Sequence, residues 1–479
     1  MNSKIFKVIN SILLILAIIS SAFMIYAIFK YNMLAFMNVN YIITAILAVV
    51  LLVLLIMLIR NKAKILVLIS SILLLGTTAF AYSQINSTVN LIGNLNKNTN
   101  INTTEMSIVV PKDSSINSIQ DLNSSEVAAP VKIDTENINK FISDIKNKEG
   151  VTFEVIEAES YVKAYDDLVN SQNKAVIISS AYENILEMND PEYSNKIKKI
   201  YKTTYTKEVA KRQNKVSSNS DVLNIYISGI DTYGPITSVS RSDVNIIMTI
   251  NKKTNKILLT TTPRDSYVRI ADGGNDQYDK LTHAGVYGVD ASIHTLENLY
   301  NIDINYYARI NFTSFIKLVD ILGGIEVYND QEFKGTRDGQ VYRQGNITLN
   351  SEQALEFVRE RYGLSGGDHD RGKNQQKVIT AIIKKLTTSN ALLNSQDIIS
   401  ELSTSIQTDM PVEQLMSLAN EQVEKKSEYN VSSQALEGQG TMGMPSYAMP
   451  GYNLYMMKVD ENSLKEVKNN MEDVIGAKE

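Results

Sequence analysis

The sequence predicts an α/β fold: a mixed sheet flanked by helices, a small α/β accessory domain before it, and three N-terminal transmembrane helices ahead of both. Three observations carry this reading. Three long, uncharged apolar stretches open the chain. Beyond them, short apolar strands alternate with helical patterns, which indicates layered α/β architecture. Two of the strands are separated only by the turn Asn251–Lys256, so their sheet has to be at least partly antiparallel.

Val8 to Phe29, Tyr41 to Ile59 and Ile65 to Tyr82 each approach or exceed the ~20 residues that carry a helix across a bilayer. A cleaved signal peptide would have a shorter apolar core and no further spans behind it. Lys4 and Lys7 precede the first stretch, and Arg60, Lys62 and Lys64 separate the second from the third. Only Lys30 lies between the first and second. The excess of basic residues on cytoplasmic loops then predicts a multi-pass cell-membrane protein with everything after Tyr82 outside. Residues 1–84 form this transmembrane region.

Ser, Thr and Asn dominate the next stretch, so 85–105 is expected to be a linker. Residues 106–206 read as the accessory domain, with strands at Met106–Pro111, Val151–Ile156 and Ala175–Ser179. Its helices fall at Ile138–Ile145, where Ile138, Phe141, Ile142 and Ile145 share a face, and at Tyr161–Asn170. A second polar linker covers 207–220. The large domain follows at 221–425, and 426–479 is left as a C-terminal extension. Within the large domain, strands are predicted at Leu223–Ile230, Val244–Ile250 and Ile257–Thr262, and helices at Ala291–Tyr300 and Phe312–Leu322. Asn350 and Gln353 have the spacing of a capping pair for a helix ending near Arg359. Another helix starts near Asp370.

Composition removes several function classes. A net charge of −5 offers no basic face for nucleic acid. With no cysteine there is no disulfide, thiolate nucleophile or Cys-ligated zinc. His283, His294 and His369 lack zinc-ligand spacing, and the chain carries no P-loop, nucleophile elbow or zincin motif. Arginine is the informative residue. There are 36 Lys but only 11 Arg, and nine of the 11 fall between Arg241 and Arg371. Arginine's planar fork grips phosphate or carboxylate bidentately, which Lys cannot do.

Two constellations follow. If the first three strands of the large domain are neighbours, the first runs toward Asp231, the second starts beside Asp243, and the third ends at Pro263-Arg264-Asp265. Asp231, Asp243 and Arg264 then share one sheet edge, with Arg241 in the loop beside them. Paired carboxylates repel unless a proton or cation intervenes. Mg2+ suits them, because it takes one or two carboxylates and completes its shell with water and phosphate. The alternative makes both Asp residues strand-end turn-formers. The second constellation is Arg359-Glu360-Arg361, followed by Asp368 through Gln376. Arg359 and Arg361 share a face only in extended chain, so the helix should end near Arg359 if both guanidinium groups serve one ligand. Arg371 and Gln375 share a face at the start of the next helix, whose N-terminus favours anions. The alternative pairs these arginines with Glu356, Glu360, Asp368 and Asp370 as structural ion pairs.

Gly229-Ile230-Asp231, Ser240-Arg241-Ser242-Asp243, Pro263-Arg264-Asp265, Arg359-Glu360-Arg361 and Asp368 through Gln376 together resemble the LytR–CpsA–Psr family. The three-span anchor, accessory domain and tail resemble its capsule-associated members. The resemblance makes the large domain a catalytic one that binds a polyprenyl-pyrophosphate glycolipid and moves the attached glycopolymer, with its phosphate, onto peptidoglycan, assisted by Mg2+. It implies that Asp231 and Asp243 hold the metal, that Arg241, Arg264, Arg359, Arg361, Arg371 and Gln375 grip the pyrophosphate, and that Asp368 supports the cluster. Other capsule-assembly proteins would be further partners. Two other outcomes stay open: a pyrophosphatase that transfers to water, and a glycolipid-binding regulator or scaffold.

Overall fold

The computed structural model describes residues 3–97, 99, 101–209, 212, 221–230, 236–386, 406–425 and 429–476. These residues fall into two compact units.

The first unit holds α1 (Ser3–Lys30), α2 (Val39–Ile59) and α3 (Lys64–Lys97). All three are long and apolar enough to cross a membrane, over Ile5–Lys30, Phe36–Ile59 and Lys64–Leu91. Hydrogen bonds from polar side chains tie the helices together. Asn10 Nδ2 donates to the Lys64 carbonyl at 2.9 Å, and Thr78 Oγ1 donates to Ser20 Oγ at 2.9 Å. The expected linker at 85–105 is corrected here, because α3 continues to Lys97 and a strand starts at Ile101. Once the apolar turns have paid nucleation, each further helical residue adds a hydrogen bond at little cost, even in a polar sequence. The half-buried Tyr82, Ile85 and Val89 also repeat at helical spacing. A helix at Val412–Lys425 belongs to this unit as well, which corrects the upper bound of 425 for the large domain. Its Asn420 Nδ2 donates to the Asn32 carbonyl, in the turn after α1, at 2.6 Å.

The second unit begins with the small domain: β1 (Ile101–Pro111), β2 (Glu126–Ala129), α4 (Thr135–Glu149), β3 (Glu154–Glu157), α5 (Tyr161–Val169), β4 (Val176–Ser179), α6 (Ser180–Asn189), α7 (Tyr193–Lys196) and β5 (Ile197–Glu208). Its sheet runs β3-β2-β4-β1-β5. α4 buries Ile138, Phe141 and Ile145, as their spacing requires. The second linker is shortened, since β5 reaches Glu208; of the remainder only 209 and 212 are described.

The large domain comprises β6 (Val222–Ile230), β7 (Ser242–Asn251), β8 (Lys256–Thr261), β9 (Ser266–Arg269), β10 (Tyr278–Lys280), α8 (Leu281–Ala284), α9 (Val289–Tyr300), β11 (Tyr306–Asn311), α10 (Phe312–Ile321), β12 (Ile325–Asn329), β13 (Phe333–Lys334), β14 (Val341–Tyr342), β15 (Gly345–Leu349), α11 (Ser351–Arg359), α12 (Asp368–Leu386), β16 (Ile406–Thr408), β17 (Asn430–Ala435), β18 (Gly438–Met442), β19 (Tyr455–Val459) and α13 (Glu461–Gly476). The main sheet runs β16-β11-β6-β7-β8-β17. It is mixed, as predicted: β6, β7 and β8 are successive antiparallel neighbours, whereas β11 is parallel to β6 and β17 to β8. Ile293, Leu296 and Tyr300 of α9 pack with Val467 and Met471 of α13 against Tyr226, Ile247 and Leu258 of the sheet. Residues of α10, α11 and α12 build a separate core with β12–β15 around Phe357, Phe333 and Tyr342. Burying each such side chain contributes roughly 1.5–3 kcal/mol. The tail from 429 is no extension, because β17 completes the main sheet while β18 and β19 join β9 and β10 in a second one.

Candidate functional site

The site starts at the edge where β7 begins and β8 ends. Antiparallel pairing brings Asp243 beside the Pro263-Arg264-Asp265 turn. Arg264 Nη1 donates to Asp243 Oδ2 at 2.7 Å, and Thr282 Oγ1, from α8, donates to Oδ1 at 2.9 Å. Burial alone would push the Asp243 carboxyl up, but the guanidinium groups of Arg264, Arg241 and Arg371 outweigh it. With the Thr282 hydrogen bond they hold the carboxyl far below the usual carboxylate range. Lys280 Nζ in turn donates to Asp265 Oδ1 at 3.0 Å, fixing the turn that carries Arg264.

The opposite wall is the α11–α12 connection. Asn350 accepts from the Gln353 N–H at 2.8 Å while Gln353 Oε1 accepts from the Asn350 N–H at 3.1 Å, the expected reciprocal cap. α11 stops at Arg359, and Glu360 is extended at φ −61°, ψ 135°. This puts Arg359 and Arg361 on one side of the chain. The Glu360 side chain turns inward instead. Its carboxylate accepts from the Thr336 N–H (2.6 Å) and hydroxyl (2.9 Å), and from the N–H groups of Arg361 (2.9 Å) and Gly363 (2.8 Å). Burial opposes its charge, yet these donors hold its pKa below the ordinary value. The Arg359 guanidinium lies 3.9 Å above the Phe312 ring centroid, and that of Arg361 lies 4.8 Å from the Tyr362 ring centroid. Gln375 Nε2 donates to the Val358 carbonyl at 3.3 Å, joining α12 to α11.

One cavity of about 270 Å³ gathers these groups. Asp243, Arg264, Arg359, Arg361, Arg371 and Gln375 all line it, so six of the predicted residues converge. Seven apolar side chains, Ile230, Val244, Ile310, Phe312, Phe315, Leu355 and Val358, line it as well. Arg241 does not line it. Its buried guanidinium sits behind Asp243 and contacts Met188 Sδ. Asp231 lies outside the described residues, as does the side chain of Asp368, the first residue of α12.

The structural ion-pair alternative is answered in part by what the carboxylates do. Glu360 is taken by backbone and hydroxyl donors. Asp370 accepts from the Gly366 N–H and Gln331 Nε2, each at 2.8 Å, with Lys373 Nζ at 3.3 Å, and Glu356 accepts from the Arg337 N–H at 2.9 Å. His283 is buried and pairs with Asp279 at 2.9 Å, in keeping with a structural role. Sequence reasoning misses Thr282, which has no recognisable pattern around it. It also misses Arg337, a fifth arginine lining the cavity, which the arginine clustering itself could have drawn in. Among the described residues, no three His, Asp or Glu side chains cluster as a metal-binding group.

A family model, described as the LytR_cpsA_psr family, matches residues 191–473. A second, for a DNA polymerase processivity factor, matches 61–178, a span that starts before α3 and ends inside β4. Among curated relatives, the polyisoprenyl-teichoic acid–peptidoglycan teichoic acid transferase TagU of Enterococcus faecalis is 33% identical over 285 residues, covering 59% of this chain and 89% of that protein. The Bacillus cereus protein of the same name is 36% identical over 202 residues, covering 42% of this chain and 64% of that one. Among solved structures, B. subtilis TagT is 28% identical with a TM-score of 0.44, covering 56% of this chain and 96% of its own. Protein gbs0355 of Streptococcus agalactiae is 25% identical with a TM-score of 0.49, covering 56% and 92%. With the family model matched over well more than half its length, the chain belongs to the LytR–CpsA–Psr family.

Proposed function

We propose that this protein is a membrane-anchored phosphotransferase that moves a glycopolymer, with capsular polysaccharide the favoured class, from a polyprenyl-pyrophosphate carrier onto peptidoglycan. The observation that carries the reading is one cavity whose lining combines five arginines with seven apolar side chains. A pyrophosphate satisfies the arginines through bidentate hydrogen bonds, and a prenyl chain satisfies the apolar side chains. The names of the relatives, transferases acting between polyisoprenyl-linked polymer and peptidoglycan, support the same reaction class.

In this reaction an acceptor hydroxyl attacks the phosphorus bonded to the glycan. The bond to the bridging oxygen breaks, polyprenyl monophosphate departs, and the hydroxyl proton passes to it or to water. Such a transfer depends on charge neutralisation and in-line positioning more than on a covalent nucleophile. Arg359 and Arg361 from one helix end, and Arg264 and Arg371 from the other side, supply both. Asp243 lines the cavity beside Arg264, whose guanidinium favours its charged form, and a charged carboxylate facing phosphate fits a hard dication. Asp243, with Asp231, would hold Mg2+, which when bound neutralises charge on the phosphate oxygens. Asp368 is assigned to supporting the arginines.

An extracytoplasmic site agrees with five basic residues flanking the cytoplasmic ends against Lys30 alone outside. The Asn420–Asn32 hydrogen bond, between the 412–425 helix and the turn after α1 that the charge bias assigns to the outside, supports the same reading. The reaction is tested by incubating the full-length protein with lipid-linked glycan, Mg2+ and peptidoglycan. A glycan–peptidoglycan adduct formed in step with polyprenyl monophosphate is expected. Free phosphorylated glycan would make water the acceptor, and no lipid cleavage would leave a binding protein.

A further inference from the structure

The segment 236–241, which leads into β7 and carries Arg241, is held from two sides. From the large domain, the buried Arg309 donates to the carbonyls of Ile236 at 3.3 Å and Ser238 at 2.9 Å. From the small domain, the Thr103 N–H donates to the Thr237 carbonyl at 2.9 Å, and the Thr103 carbonyl accepts from the Val239 N–H at 3.1 Å. The Thr103 hydroxyl donates to that of Thr237 at 3.0 Å. Val239 itself is buried in the small domain's apolar core. On α6, Asn184 Nδ2 donates to Ser240 Oγ at 3.0 Å, and one turn further on Met188 Sδ accepts from the Arg241 guanidinium. Thr103, Asn184 and Met188 do not line the cavity.

We infer that the small domain is a positioning element for the reaction: β1 and α6 set the segment 236–241 and so hold the Arg241 guanidinium behind Asp243. Thr103, Asn184 and Met188 are then positioning residues, acting on substrate only through Arg241 and Asp243. Elsewhere the small domain also meets the large one, where Tyr452 donates to Asp166 and Val286, Ala448 and Met449 join its core, but the contacts that reach the start of β7 fall on Thr237, Val239, Ser240 and Arg241. A reaction that works by alignment is sensitive to such support, since a misplacement of about 1 Å can cost ~100-fold.

The inference rests on the proposed transfer reaction, and the test separates the two. Full-length Asn184→Ala/Met188→Ala protein is compared with wild type for kcat and KM of transfer, thermal stability, and calorimetric binding of farnesyl pyrophosphate. The double variant should lose at least about tenfold in kcat, with KM, affinity and binding stoichiometry close to wild type. Asn184 with Met188→Gln, which keeps the length and offers an amide oxygen to Arg241, should recover most of the loss. Unchanged kcat would overturn the inference, and so would binding stoichiometry that falls in proportion to activity, the mark of a partly unfolded preparation. A wild-type protein that binds no farnesyl pyrophosphate would overturn the reading of the cavity, and this inference with it.

Discussion

Arg264 Nη1 and Asp243 Oδ2 meet at 2.7 Å across the ends of two antiparallel strands, both side chains mostly withdrawn from water. Asp243 is therefore no ordinary strand-end turn residue, whose replacement would cost little. Removing one partner of a buried pair costs about 3–5 kcal/mol, because the remaining charge loses its counterion. Asp243→Ala should abolish transfer and also lower the thermal midpoint by several degrees. An unchanged midpoint with unchanged activity would return Asp243 to the turn-former role.

Glu360 yields a pH prediction. Its folded pKa is below the ordinary 4.5, so its contribution to stability is fully present above that value and is lost as pH falls below it. Glu360→Gln should be less stable than wild type at pH 7 by about 2 kcal/mol, having lost charge-assisted hydrogen bonds. The gap should narrow as pH drops below about 4.5. Thermal melts of both proteins across pH 3–7 check this, and a gap independent of pH would contradict it.

Arg359 and Arg361 should not tolerate lysine. Both guanidinium groups lie against aromatic rings and line the cavity, so Lys keeps the charge while losing the planar fork. Arg359→Lys and Arg361→Lys should each reduce transfer by about 100-fold while the melting temperature stays near wild type. Near-normal transfer by these variants would defeat the pyrophosphate-clamp assignment.

The absence of native cysteine gives a clean test of topology. In intact cells a membrane-impermeant maleimide should label Asn32→Cys and leave Asn61→Cys unlabelled until the membrane is opened. The reverse pattern would place the cavity in the cytoplasm.

Much of this site was legible because local rules decide it. β6, β7 and β8 follow one another through the chain as antiparallel neighbours, so their order alone puts Asp243 beside Arg264. The i to i+2 spacing of Arg359 and Arg361, taken with one shared ligand, asks for extended chain between them, and α11 ends there. The family resemblance assigns Arg241 to the phosphate grip, yet Arg241 does not line the cavity, a placement that loop sequence alone does not reveal. Its side chain meets Met188, and the neighbouring Ser240 meets Asn184, both more than 50 residues upstream. The polar turns of α3 resembled a linker because Ser, Thr and Asn favour loops in isolation, whereas here they extend a helix already formed. β17 was missed because Asn430–Ala435 lacks alternation and becomes a strand only by pairing with β8.

The account's central claim is that one cavity receives both a pyrophosphate headgroup and a prenyl tail. Calorimetric titration of the full-length protein with farnesyl pyrophosphate, inorganic pyrophosphate and farnesol tests it most directly. Burial of the tail against the apolar side chains at roughly 25 cal/mol per Å² predicts farnesyl pyrophosphate binding at least about tenfold tighter than inorganic pyrophosphate. Farnesol, lacking the charge that the arginines require, should bind weakest. Equal affinity for the two pyrophosphates, or farnesol binding as tightly as farnesyl pyrophosphate, would contradict the claim.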